Sequence, residues 1–439
     1  MNTLKRIYCR TFQTGLKLAL PFLPYRKPKI VGSVNALPDI IKSNHCDKVL
    51  IITDAGIRKL GLTFRLEKAL DQAEVPYCIY DKTVANPTTT NVYEAIALYK
   101  SECCDCIIGF GGGSSIDCAK AVGACIVKPK QPLSKMKGIL KVHKKLPLLM
   151  AIPTTAGTGS ETTLAAVITD AHTRHKYAIN DFPLIPRYAV LDPKVTISLP
   201  PFITATTGMD ALTHAVEAYI GNSTTYGTRK DAILAVKLIF ENIYTAYEDG
   251  RNVEARRNML RASFYAGCAF TKSYVGYVHA VAHSLGGEYN VPHGLANAVI
   301  LPMVLKAYGE VIHPKLARLA VAAGLTDPNT PCDEAAKCFI SAIQEMKKRF
   351  GIGNHIPEIQ ETDVPKLAHY ADKEANPLYP VPVLMSAAEL ETFYYMLMPN
   401  PENPKKILID PITANDTKGV TNHDGTRNER TCCQTENLL

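Results

Sequence analysis

"CIIGFGGGSSIDCAK" occupies residues 106–120. A short apolar run gives way to three glycines and then to a helix-forming stretch, so the segment reads as strand, turn, helix. Glycine lets the backbone come close to a ligand, and a helix N-terminus offers free N–H groups to an anion. A pyrophosphate suits that arrangement. Gly109 and Gly111 echo the dinucleotide fingerprint, but Ser114 stands near the place of its third glycine, so a plain tight turn remains the alternative.

Outward from this stretch the pattern repeats. "KVLIITD" (48–54), "VPYCIYD" (75–81) and "PLLMAIPTT" (147–155) are apolar runs of strand length, separated by helical stretches at 57–73 and 91–102. Continuous apolar strands alternating with helices predict a parallel sheet covered on both faces. "PTTAGTGSETT" (153–163) is a second glycine and threonine loop directly after a strand, where hydroxyls and N–H groups can close over phosphates or a nicotinamide ring. Ligands bind open α/β sheets at the C-terminal ends of the strands. Asp54 ends the 48–54 strand; its carboxylate can accept from an adenosine ribose and would repel a 2′-phosphate, favouring NAD over NADP. It can equally cap the next helix.

Composition sets bounds on the whole. The chain has 439 residues and no run of eighteen uncharged apolar ones, so two or more domains and no membrane span are expected. Of 49 basic residues, seven (Lys5, Arg6, Arg10, Lys17, Arg26, Lys27, Lys29) precede the first acidic residue, Asp39; the other 42 face 41 acidic ones. A near-neutral body argues against nucleic acid as a partner. The basic, apolar N-terminus is either a targeting or membrane-surface segment or a helix packed on the body and ended by Pro21, Pro24 and Pro28; organellar targeting stays open. Thirteen cysteines in a long chain point to reduced thiols and a cytoplasmic location. "ECCDC" (102–106) lacks zinc-site spacing and runs into a strand, so it is structural. Residues 128–145 hold seven lysines without interleaved aromatics and read as a solvated loop.

Beyond Pro200-Pro201 the strands largely disappear, and helical periodicity appears at 229–248, 254–270, 315–323, 333–350 and 386–398. The expected domains are a basic extension (1–29), a dinucleotide-binding α/β domain (30–198), an all-helical metal-binding domain (199–410) and a polar disordered tail (411–439). In the helical part, "GMDALTHAVEAY" (208–219) places Asp210 and His214 at i and i+4. "GYVHAVAHSLGGEYNVPHGLANA" (276–298) repeats that spacing with His279 and His283 and adds His293. Residues four apart share one helix face. One carboxylate and two or three imidazoles make a site for a first-row divalent ion, with a position left for a substrate oxygen.

These stretches together resemble the iron-containing (group III) alcohol dehydrogenase family over about residues 30–400: "GGGSSIDCAK", "PTTAGTGSE", "TTGMDALTHAVEAY" and "GYVHAVAHSLGGEYNVPHGLANA" stand in that family's order. The resemblance implies an N-terminal Rossmann-like parallel-sheet domain and a C-terminal all-α domain, the dehydroquinate synthase-like fold, with the site in the cleft between them. It implies Asp210, His214, His279 and His293 as metal ligands and puts His283 beside the substrate and nicotinamide. It places Asp54 and Asn86 near the adenosine, and Gly112, Gly113, Ser114, Asp117, Thr154, Thr155 and Thr158 around the pyrophosphate and nicotinamide. Lys176 matches a lysine near the nicotinamide ribose.

The implied activity is reversible hydride transfer between NAD and a small primary alcohol or diol, with the alkoxide on a divalent metal. Imidazole suits Fe²⁺ and Zn²⁺ alike; the family name favours iron. His283 is expected to relay a proton, with a route through the cofactor ribose and water as the alternative. Phe270, Tyr274, Tyr277 and Leu164 are expected to shape a partly apolar substrate pocket. A homodimer or larger homo-oligomer is expected. The competing functions are a lyase of the same superfold that uses NAD transiently, and a non-catalytic descendant.

Overall fold

A computed structural model describes residues 1–400; the tail expected at 411–439 lies outside the described residues. By contacts the chain divides into two units. One contains Leu23–Thr207 and Asn242–Thr271; the other contains Met1–Phe22, Gly208–Glu241 and Lys272 onward.

Helix α1 (Thr3–Ala19) belongs to the second unit. The first unit is built on a six-stranded, all-parallel sheet. Its strands in chain order are β1 (Lys29–Val31), β2 (Val49–Ile52), β3 (Tyr77–Tyr80), β4 (Cys106–Gly111), β6 (Leu148–Pro153) and β9 (Tyr188–Val190), and across the sheet they run β1-β9-β6-β4-β2-β3. A smaller sheet holds β5 (Gly138–Ile139), β8 (Lys176–Asn180) and β7 (Ala165–Thr169), with β7 and β8 antiparallel.

Helices α2 (Leu37–Ser43), α3 (Ala55–Lys59), α4 (Phe64–Gln72), α5 (Thr89–Ser101) and α6 (Gly113–Val127) lie between the strands. The helical stretch expected at 57–73 is two helices, because Gly61 sits in the left-handed region and turns the chain between α3 and α4. Strand β2 shows why the sheet needs cover on both faces. Leu50 and Ile52 enter one core with Ile107, while Val49 and Ile51 enter another with Cys106, Ile108 and Phe110. All four β2 residues are buried.

The remaining helices are α7 (Pro201–Ile220), α8 (Tyr226–Glu248), α9 (Val253–Ser273), α10 (Tyr277–Tyr289), α11 (His293–Tyr308), α12 (His313–Ala322), α13 (Cys332–Arg349), α14 (Val364–Ala375) and α15 (Ala387–Leu397). By contacts the chain passes from the first unit to the second inside α7, between Thr207 and Gly208. In the helical unit α10 packs on α11 and α14, and α14 on α15. One continuous helical stretch, His293–Ala322, is long and apolar enough to cross a membrane by composition, yet 67% of that window is buried within the protein.

Candidate metal centre and cofactor loops

Three helices bring the ligand candidates together. Asp210 and His214 lie one turn apart on α7, His279 is on the first turn of α10, and His293 opens α11. One ligand atom from each falls within 4.8 Å of all the others. Asp210 Oδ1 is 3.4 Å from His293 Nε2 and 3.9 Å from His279 Nε2. Asp210, His214 and His279 are buried, while the His293 side chain is 37% exposed, so the cluster is open on its His293 side.

Two residues that no spacing rule indicates complete the cluster. Glu217, one turn beyond His214, accepts from His279 Nδ1 at 2.6 Å and from the main-chain N–H groups of Gly276 and Val278, both at 2.8 Å. Burial pushes the Glu217 carboxyl up to about 7, against the pull of these N–H groups and of the His279 backbone N–H. Burial first, then the neighbouring imidazoles His214, His293 and His283, holds His279 well below the usual histidine range. A neutral His279 that donates its Nδ1–H to Glu217 leaves its Nε2 lone pair facing the cluster.

Asn297, one turn after His293 on α11, donates its amide to Asp210 Oδ1 at 2.7 Å and lies 3.2 Å from His279 Nε2 and 3.1 Å from His293 Nε2. An amide NH₂ has two hydrogens and meets three acceptor atoms here. A converging excess of acceptors in a buried site is what a cation satisfies, and three imidazoles with one carboxylate suit a first-row divalent ion. The donor set therefore fits a metal.

His283 stands beside this group and outside it. Its ring is 5.1 Å from that of His293, nearly parallel, and its Nδ1 is 2.6 Å from Glu374 Oε1. Tyr379 donates to the same carboxylate oxygen at 2.7 Å. Burial pushes Glu374 upward, but the His283 charge and bond together with Tyr379 outweigh it and hold the carboxyl below its ordinary value. Tyr277, expected at a substrate pocket, is instead fully buried; its hydroxyl contacts Asn376 and Met385, so it anchors α10.

In the sheet unit, the two loops meet at the C-terminal ends of β4 and β6. Gly112 starts α6 without a side-chain cap. A methyl group on Gly113 would come within 3.3 Å of Thr158, and one on Gly112 within 3.9 Å of Thr155. Thr154 N–H donates to Gly111 at 3.0 Å. An uncapped helix start under a hydroxyl-rich loop fits a phosphate. Asn86, in the left-handed region, donates its N–H to Ser114 and accepts from Lys176 Nζ at 2.7 Å. Asp54 caps α3, accepting from Ile57 N–H at 2.9 Å, and its other oxygen is 3.4 Å from Ser115 Oγ.

Asp117 bonds within the protein through both its oxygens. One oxygen accepts from Ser160 Oγ at 2.6 Å and the other from Val167 N–H at 3.0 Å, so it braces the second loop against α6. Lys120, one turn on, is fully buried and donates to Ser160, Thr163 and the Ala165 carbonyl. Behind the same loop Gly159 packs directly on Gly267 of α9, where an added methyl on either would overlap its neighbour.

Known proteins carry the same pattern. Residues 29–193 match the family described as iron-containing alcohol dehydrogenase, and residues 204–396 match its C-terminal part. A 1,3-propanediol dehydrogenase of Klebsiella pneumoniae is 39% identical over 334 residues, covering 75% of this chain and 86% of that protein. The crystal structure of a 1,3-propanediol oxidoreductase superposes with a TM-score of 0.80 at 35% identity, over 84% of this chain and 97% of the other. A sulfoacetaldehyde reductase of Bifidobacterium kashiwanohense in complex with NAD⁺ superposes with a TM-score of 0.76 at 27% identity, over 86% and 98%. The parallel sheet followed by a helical region, the Asp and His cluster and these matches agree: the chain belongs to the iron-containing alcohol dehydrogenase family, the metal-dependent, NAD-linked alcohol dehydrogenases and aldehyde reductases.

Proposed function

We propose that this enzyme interconverts a small primary alcohol or diol and its aldehyde, with iron held by Asp210, His214, His279 and His293 and with NAD as the partner oxidant. The observation that carries this is the convergence of four ligand atoms with Glu217 behind His279. A divalent ion there would polarise the substrate oxygen and stabilise negative charge on it. Glu217 fixes the His279 tautomer, and Asp210 supplies the one anionic ligand. His283, hydrogen-bonded to Glu374, can hold or release a proton at its Nε2 beside His293.

Bound NAD would supply the hydride acceptor. The α6 N-terminus and the Thr154–Thr158 loop would hold its phosphates, and Asn86 with Lys176 would hold a ribose. Asp54 supports NAD over NADP by its charge at the end of β2. The similarity to propanediol enzymes supports a diol or short alcohol as substrate. Among the described residues β1 stands at an edge of the sheet, which supports a homo-oligomer, since unpaired strand edges invite pairing. Thiols such as Cys9, Cys78, Cys104, Cys106 and Cys118 support a reducing, cytosol-like location.

The test is NADH absorbance with propane-1,3-diol, ethanol, methanol and lactaldehyde, using protein purified without oxygen and assayed for iron and zinc. Stoichiometric NADH that is lost on chelation and restored by Fe²⁺ is expected. NAD turnover without net NADH would assign a lyase of the same superfold instead. Asp54→Asn should raise kcat/KM with NADP about tenfold, a change of about 1.4 kcal/mol; no change would remove Asp54 from cofactor selection.

A further inference from the structure

Helix α1 is amphipathic with its faces reversed. Arg10, Cys9 and Gln13 turn inward: Gln13 Nε2 donates to the carbonyls of Tyr379 and Pro377 at 2.7 and 3.2 Å, and Arg10 to those of Val381 and Pro382 at 2.7 and 2.8 Å. Lys5 pairs with Asp372 at 2.7 Å. Several apolar residues turn outward. Leu4 is 80% exposed, Ile7 and Tyr8 59% each, Leu18 69%, and Phe22 just beyond the helix 88%. Helical spacing sets Leu4, Ile7, Tyr8 and Leu18 on one side of the helix, with Thr11, Thr14 and Gly15 between them. Polar bonds lock the helix in place and leave its apolar face in water, which is unfavourable unless something covers that face.

The charge around the stripe chooses the occupant. The helix and its end, residues 1–22, contain four basic residues (Lys5, Arg6, Arg10 and Lys17) and no acidic one. At the C-terminal end of α1, Lys17 lies near Lys315 and Arg229; burial first, then those two charges, push the Lys315 ammonium down to about 8. A second copy seated on the stripe would bring like charges together. An anionic bilayer surface accepts both features, since apolar side chains enter the headgroup layer while Lys and Arg meet phosphates.

We propose that α1 is a docking face for an anionic phospholipid surface, with Leu4, Ile7, Tyr8, Leu18 and Phe22 entering the interface and Lys17 and Arg229 meeting lipid phosphates. The association is peripheral and reversible, and it is separate from the dehydrogenase reaction.

The test uses the full-length, metal-loaded enzyme and co-sedimentation with vesicles of phosphatidylcholine alone or mixed with phosphatidylglycerol. Binding to the mixed vesicles, weakened by salt, is expected. Leu4→Ser combined with Ile7→Ser and Leu18→Ser should lower it about tenfold or more, with the rate on alcohol in lipid-free buffer unchanged. Lys17→Gln with Arg229→Gln should lower binding to the anionic vesicles and flatten its salt dependence. Equal sedimentation of the wild type and the triple-serine variant would overturn the proposal. So would absence of vesicle binding together with a drop in oligomer size in the triple-serine variant, which would give the stripe to a second copy.

Discussion

Replacing Glu217 by glutamine tests whether His279 is a ligand set in place from behind. The groups bonded to the carboxylate are donors: Gly276 N–H and His279 Nδ1 meet Oε2, and Val278 N–H meets Oε1. A glutamine offers one oxygen and one NH₂. With its oxygen in the Oε2 position, the NH₂ confronts Val278 N–H, and one buried donor loses its acceptor at about 1–3 kcal/mol. With the amide reversed, the NH₂ donates to His279 Nδ1 and moves the imidazole proton to Nε2, where the ring cannot ligate. Metal binding selects the first orientation against the second, so the loss falls mainly on metal affinity. Substitutions of this kind cost about 10–100-fold in affinity or activity.

The assay is a competition with a chelator, read as iron retained per chain, with kcat/KM for NADH formation measured on the same samples. Glu217→Gln should lose iron at about 10–100-fold lower chelator than wild type. Its kcat should recover in saturating Fe²⁺, because the other ligands are untouched. Glu217→Ala, which leaves these donors without an acceptor, should be worse and should also unfold at lower temperature. Wild-type iron retention in Glu217→Gln would refute the assignment of His279 as a ligand oriented by this carboxylate.

Three further changes probe the same architecture. Gly276→Ala would place a methyl carbon 2.6 Å from Glu217 Oε1 and 3.1 Å from its Cδ, at a backbone angle any residue tolerates; iron retention should fall by about 10–100-fold, as for Glu217→Gln, and unchanged retention would count against the packing argument. Gly267→Ala would put a methyl 2.2 Å from Thr162 Oγ1 and 3.0 Å from the Gly159 carbonyl, shifting the second loop. Calorimetric titration should show NAD binding weakened about tenfold with metal content intact. Burial pushes the Glu161 carboxyl up from 4.5 to about 7, so the folded chain keeps a proton that the unfolded chain has lost. Stability should therefore fall as pH rises across that window, by about 1–3 kcal/mol, and urea unfolding of Glu161→Gln should lack that slope.

Much of the sheet is legible in the sequence because β2, β4 and β6 are continuous apolar runs, and a strand buried on both faces must be one. The edge strand β1 and its neighbour β9 have three residues each, too short for any period to show. The β7–β8 pair alternates buried and half-buried residues, a weaker pattern that the loops on either side obscure. The i, i+4 spacing marks Asp210 with His214 and His279 with His283 as pairs on helix faces. It cannot separate His279 from His283. That separation comes from Glu217, 62 residues before His279, and Glu374, 91 residues after His283. Asn297 and Lys120 stand one turn from residues the motifs mark, yet an amide or an ammonium in an apolar run carries no sign of its partners. For α1 the sequence shows two faces; only the carbonyls at 377–382 show that the polar one turns inward.

Glu217 also explains why the histidine helix begins where it does. Gly276 at the start of α10 has no side chain to cap the helix, so the first N–H groups need acceptors from elsewhere. The Glu217 carboxylate, arriving from α7, supplies them and places negative charge at the positive end of the α10 dipole. One buried group thus sets both the start of the helix and the tautomer of the imidazole on its first turn. The order of residues 276–279 and the affinity for the ion are therefore coupled: whatever loosens the helix start also unseats His279, and an ion on His279 Nε2 strengthens the bond from Nδ1 to Glu217. Hydrogen exchange at Gly276 and Val278 should slow on adding Fe²⁺ to metal-depleted protein, and that slowing should vanish in Glu217→Ala. Protection that is already full without metal would mean the helix start is fixed by packing alone.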